Sequence, residues 1–130
     1  MDGKIRYSDV KDVENLIVRP QIKDDIQGLK GIEYFTNLKS LTTLYVKPDT
    51  LDSSKNTKLE YLYIETGYEG VGERKTLKYL NVSNCKELKC LNCKSNRLSS
   101  LDLSQNRKLA ELDCSDNYNL QMLDLSVNTQ

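Results

Sequence analysis

The sequence predicts a solenoid of short parallel strands wound into stacked coils. Three observations carry that prediction. Leucines recur in the frame L-x-x-L-x-[LVIC]-x-x-[NC] in seven units between residues 41 and 128. Like units return every 21 or 22 residues in the last third of the chain. Asn or Cys closes most of the units. A fixed period of this size marks an array whose single unit cannot bury its own apolar face, so stacking supplies the core.

The units run in order. Leu41-x-x-Leu44-x-Val46 comes first, then Leu59-x-x-Leu62-x-Ile64 and Leu77-x-x-Leu80-x-Val82-x-x-Cys85. Leu88-x-x-Leu91-x-Cys93-x-x-Asn96 and Leu98-x-x-Leu101-x-Leu103-x-x-Asn106 follow. Leu109-x-x-Leu112-x-Cys114-x-x-Asn117 and Leu120-x-x-Leu123-x-Leu125-x-x-Asn128 close the series. Two flavours alternate, "LDLSQN" (101–106) against "LDCSDN" (112–117), so one coil is two half-repeats.

Side chains alternate between the two faces of a strand. Leu91 and Cys93 therefore face inward, and Cys90 and Asn92 face outward. The C-x-x-C pair Cys90 and Cys93 cannot converge on one metal without breaking the strand. Cys93 and Cys114 occupy equivalent sites one coil apart and read as buried thiols that fill apolar space. A Cys93–Cys114 bridge, a four-cysteine zinc site and a redox pair are the alternatives. Asn56, Asn96, Asn106, Asn117 and Asn128, with Cys85 in an Asn position, read as an inward ladder. Each rung's side chain would satisfy backbone groups left buried where a coil turns.

The pattern resembles bacterial leucine-rich repeat proteins of the internalin-like type with nested half-repeats, over about residues 26–128. That resemblance implies an α/β-class fold built mostly of short parallel strands and turns, in a right-handed coil of about four turns with an N-terminal cap. It also implies a secreted or surface-displayed bacterial binding or adhesion module, hence an extracellular location.

Residues 1–25 lie outside the repeat and read as a cap or linker. Asp2-Gly3-Lys4-Ile5 with Asp9 matches the second half of a calcium loop, or else a plain turn before a helix near 8–15. "LIVRP" (16–20) reads as a short strand. "GIEYFTNL" (31–38) resembles the entry coil of internalin-like proteins, with Ile32, Tyr34 and Phe35 as core covers. Within the repeat domain, 26–130, the stretch 65–74 is an inserted loop: Leu62 to Leu91 spans 29 residues, about eight more than later coils. Leu44 to Leu62 spans 18, a tightened coil around Pro48. The chain stops on a complete repeat, so its last coil either continues or stacks end to end on another copy.

Lys plus Arg and Asp plus Glu both number 19, so the electrostatic footprint of a nucleic-acid binder is missing. No apolar run reaches the ~18 residues of a membrane span, and no signal peptide is visible at Met1. There is no His, which removes the commonest general base and zinc ligand. The expectation is a non-enzymatic scaffold without cofactor or metal. Exposed tyrosines suit protein or carbohydrate contact, because the ring is rigid and its hydroxyl stays polar. Tyr45, Tyr61 and Tyr63, expected on neighbouring strands, form the candidate contact face with Tyr68, Glu69 and Arg74 of the inserted loop. A structural segment that self-assembles through its open coil is the other reading.

Overall fold

The fold is known from a computed structural model that describes residues 6–20, 28–66 and 76–129. A short helix, α1 (Tyr7–Val10), precedes strand β1 (Asn15–Val18), and a single 3-10 turn spans Ile32–Tyr34. Strands β2 (Ser40–Leu44), β3 (Thr50–Asp52), β4 (Tyr61–Glu65), β5 (Tyr79–Asn81), β6 (Cys90–Asn92) and β7 (Glu111–Asp113) follow. All pairing is parallel. One sheet runs β1-β2-β4-β6-β7, and β3 pairs with β5 in a second. The chain crosses to the second sheet and back between β2 and β4, through β3, and between β4 and β6, through β5. The result is a leucine-rich repeat solenoid of about three turns, one fewer than the family resemblance implies.

The register sorts the interior into columns. Leu16, Leu41, Leu62, Leu91 and Leu112 pair strand by strand in the larger sheet. Leu51 pairs with Leu80 in the smaller one. The leading leucines Leu38, Leu59, Leu88 and Leu109 are buried in the same core.

The three-residue strands β3, β5, β6 and β7 each end in an Asx turn, in which a side chain binds a backbone N–H two residues on. Ser54 N donates to Asp52 at 2.9 Å, Ser83 N to Asn81 at 3.0 Å and Ser104 N to Asp102 at 2.9 Å. Lys94 N donates to Asn92 and Ser115 N to Asp113, each at 3.1 Å. Asp113 also takes the Ser115 hydroxyl at 2.6 Å, and that hydroxyl leads the causes holding its carboxyl below the usual range.

The first coil corrects the sequence frame. Leu41, not Leu44, pairs with Leu62, so β2 to β4 is an ordinary 21-residue step with no tightening. Leu38-x-x-Leu41 has the same leucine spacing as Leu41-x-x-Leu44, although Thr43 departs from the apolar third position that Val46 would fill. Hydrogen bonding to β1 and β4 selects the former, and Thr43 takes the buried third position.

At the N-terminal end, Arg6 N donates to the Asp9 carboxylate at 2.8 Å, which starts α1. Asp9, the one described member of the calcium-loop reading, thereby serves as a helix cap; Asp2 and Gly3 lie outside the described residues. Asn37 Nδ2 donates to Lys11 O at 2.7 Å, and the Tyr7 and Thr36 hydroxyls meet at 3.2 Å, tying the cap to the first coil. Ile32 and Phe35 pack into the core, whereas Tyr34 is 56% exposed.

Candidate functional site

Two surfaces follow from this winding, one inside the solenoid and one outside it. Inside, the polar rungs form two separate ladders of different chemistry. In the first, Asn56 Nδ2 donates to Ile32 O at 2.8 Å and Phe35 O at 3.1 Å in the coil before it. Asn106 Nδ2 donates to Val82 O and Cys85 O, both at 2.9 Å. Asn128 Nδ2 donates to Leu103 O at 3.2 Å and Asn106 O at 2.7 Å. Cys85 stands between Asn56 and Asn106, and its thiol is directed at Ser53 O (3.4 Å) and Asn56 O (3.6 Å). A sulfur thus reaches the two carbonyls that an amide would.

The second ladder is more fully bonded. Asn117 Nδ2 donates to Cys93 O at 3.0 Å and Cys114 O at 2.9 Å, while its Oδ1 accepts Leu98 N at 3.0 Å. Asn96 Oδ1 accepts Leu77 N at 3.2 Å and the Thr66 hydroxyl at 3.0 Å. The Oδ1 atoms of Asn56, Asn106 and Asn128 have no such donor among the described residues. The equivalent N–H groups of the preceding coils, those of Leu38 and Leu88, bond instead to the backbone carbonyls of Phe35 and Cys85.

All four cysteines are free thiols. Cys93 is fully buried, and burial first, then the neighbouring Cys114, pushes its thiol up to about 12. Burial, with Asp52 second, pushes Cys85 up to about 12 as well. Cys114 is half-buried rather than buried, because β7 has a paired neighbour on one side only. Cys90 lies on the outer face, its thiol 3.7 Å from Glu111 Oε2. Among the described residues, no three His, Cys, Asp or Glu side chains come together as a metal would require.

Outside, the larger sheet presents two rows of side chains. Asn15, Ser40, Tyr61, Cys90 and Glu111 form one row by register, and Ile17, Thr42, Tyr63, Asn92 and Asp113 the other. Tyr61 and Tyr63 are 49% and 42% exposed, side by side on β4, with only small or short neighbours on β2 and β6. Ile17, 68% exposed on the same face, went unassigned in the sequence; its place between inward Leu16 and Val18 was the available signal.

Tyr45 does not join the tyrosines on a neighbouring strand. It follows β2 in left-handed backbone (φ 59°), and its N–H donates to Glu65 O at 3.0 Å. Ser95 and Asp116 adopt the same conformation four residues after Leu91 and Leu112, as Tyr45 does after Leu41. Tyr45 is therefore a turn residue at the strand exit. Tyr68, Glu69 and Arg74 lie outside the described residues.

Along the strand entries, Lys39 pairs with Glu14 at 3.0 Å and Lys89 with Glu60 at 2.6 Å. On another row, Lys108 pairs with Glu87 at 2.6 Å. These exposed pairs span successive coils and add little stability each.

This arrangement of parallel half-repeat strands, inward leucine columns and Asn rungs is the internalin-like leucine-rich repeat fold. It matches two solved bacterial structures in particular. The functional domain of InlJ from Listeria monocytogenes, described as including a cysteine ladder, aligns with a TM-score of 0.75 and 24% identity over 97% of this chain. The internalin InlF from Listeria monocytogenes aligns with a TM-score of 0.50 and 24% identity over 86%. At that identity the likeness is one of fold. The chain spans about a quarter of the InlJ structure's length and 37% of the InlF structure's. No family model and no curated protein matches the sequence.

Proposed function

We propose that the chain is a non-enzymatic recognition scaffold, a protein-binding or adhesion module of a secreted or surface-displayed bacterial protein. The observation that carries this reading is the pair Tyr61 and Tyr63. Two large aromatic side chains stand exposed on one strand, flanked by small residues that leave both rings accessible. A rigid ring with a polar tip gives contact area at low entropic cost, as in the anchors of protein interfaces. The stacked coils hold that face rigid, since β2, β4 and β6 rest on the buried leucines Leu41, Leu62 and Leu91. The internalin fold of the solved neighbours supports the same class of activity.

The test is affinity capture from host-cell and bacterial surface extracts on the immobilised chain, with a Tyr61→Ser, Tyr63→Ser variant as control. Proteins held by the native face and lost on the variant are expected. Identical sets on both, with the variant's melting temperature unchanged, would remove this face as the binding surface.

A further inference from the structure

The chain as a whole carries no net charge, yet the outer face of the larger sheet is not neutral. By strand alternation Glu65, Glu111 and Asp113 point to that face, and Asp116 follows at the exit of β7. Among the described residues three of these carboxylates meet a thiol or a hydroxyl: Glu111 takes Cys90 Sγ, Asp113 the Ser115 hydroxyl and Asp116 the Ser95 hydroxyl. The lysines bordering the strand entries, Lys39 and Lys89, are engaged by Glu14 and Glu60. By alternation Lys94 is a cation of this face near Asp113, and Arg19 lies at the opposite, β1 edge. The face therefore grades from aliphatic and aromatic (Ile17, Tyr61, Tyr63) to acidic (Glu111, Asp113, Asp116).

We infer that the outer face of β4, β6 and β7 takes an extended basic segment of a protein partner. An apolar side chain of that segment rests on Tyr61 and Tyr63, and its Lys or Arg is held by Glu111 and Asp113. β4 and β7 are two strand spacings apart, ~10 Å, within reach of residues two to four positions apart in an extended peptide. Charge complementarity of this kind fixes orientation and speeds encounter. The inference rests on the recognition reading and narrows it to one partner chemistry.

The experiment selects displayed random peptides on the immobilised chain and counter-selects on the Tyr61→Ser, Tyr63→Ser variant. Survivors are expected to carry Lys or Arg two to four positions from Leu, Ile or an aromatic residue. A synthetic consensus peptide should bind roughly five-fold more weakly to a Glu111→Gln, Asp113→Asn variant, and more weakly still at high salt. Neutral or acidic survivors that still need Tyr61 and Tyr63 would overturn the basic-segment inference and leave the recognition face standing. Unchanged binding to the Glu111→Gln, Asp113→Asn variant would do the same. If no peptide separates the native chain from the tyrosine variant, both readings fall.

Discussion

Replacing Asn106 with Ala tests whether the polar rungs hold the coils together. The side chain is fully buried, and its amide is the second donor to two carbonyls of the preceding coil, Val82 O and Cys85 O, at 2.9 Å each. Each carbonyl keeps a turn bond, from Cys85 N at 3.0 Å and Leu88 N at 3.1 Å, so neither is orphaned. The loss is then two net hydrogen bonds of ~1 kcal/mol, plus a small cavity, less the relief of removing the unpartnered Oδ1. The sum is about 2 kcal/mol, a fall in Tm of roughly 6 °C for a chain of this size. Asn106→Cys should recover about half of it, because Cys85 reaches the equivalent carbonyls through sulfur, a weaker donor. Urea unfolding followed by far-UV circular dichroism measures all three chains, with equal m-values required for the comparison. An Ala variant as stable as the native chain, or a Cys variant no better than Ala, would refute the ladder as a stabilising device.

Leu91→Ala, at a fully buried site in the middle of the leucine column, should cost about 2–5 kcal/mol by chemical denaturation. Thr43→Val should raise stability by about 1 kcal/mol, since the Thr43 hydroxyl is buried without a partner among the described residues; a lower Tm would contradict that. For the thiols, the folded chain keeps protons on Cys85 and Cys93 that the unfolded chain releases above 9.0. Their contribution is therefore complete below pH 9 and lost as pH rises toward about 12. The slope of Tm between pH 8.5 and 10.5 should flatten in a Cys85→Ala, Cys93→Ala variant. Thiol titration should find Cys90 and Cys114 reactive in the native chain, with Cys85 and Cys93 reacting only on unfolding. At the acid end, Asp102 and Asp113 are held below the usual carboxylate range chiefly by the Ser104 and Ser115 hydroxyls, and Asp124 by Ser126 N–H. Their stabilisation is present above 3.8 and lost as pH falls below it. Ser104→Ala and Ser115→Ala should make Tm less sensitive to acid over that range.

Much of the outer face was legible before any coordinates. A strand period of two, laid on a 21-residue repeat, is enough to place Tyr61, Tyr63, Cys90, Asn92, Glu111 and Asp113 outward. Tyr45 was misplaced because Leu41-x-x-Leu44-x-Val46 fits the repeat better than Leu38-x-x-Leu41-x-Thr43, the frame that strand pairing selects. Ile17 was missed because β1 lies outside the repeat and joins the sheet only through contacts distant in sequence. The two half-repeat flavours set Asn96 and Asn117 apart from Asn56 and Asn106, but nothing in them tells that only the first pair's Oδ1 atoms accept strand-entry N–H groups. The difference lies in whether the leading leucine's N–H of the preceding coil is already bonded within its own turn.

From the primary structure alone came the winding, its period, and the division of side chains into inward and outward sets. Those follow from spacing along one chain and from the alternation every strand obeys. The frame of the first coil, the two kinds of rung and the partial exposure of Cys114 came only from the assembled solenoid. Each depends on which backbone groups lie in the adjacent coil, and that is set by hydrogen bonds across coils, not by the pattern within one.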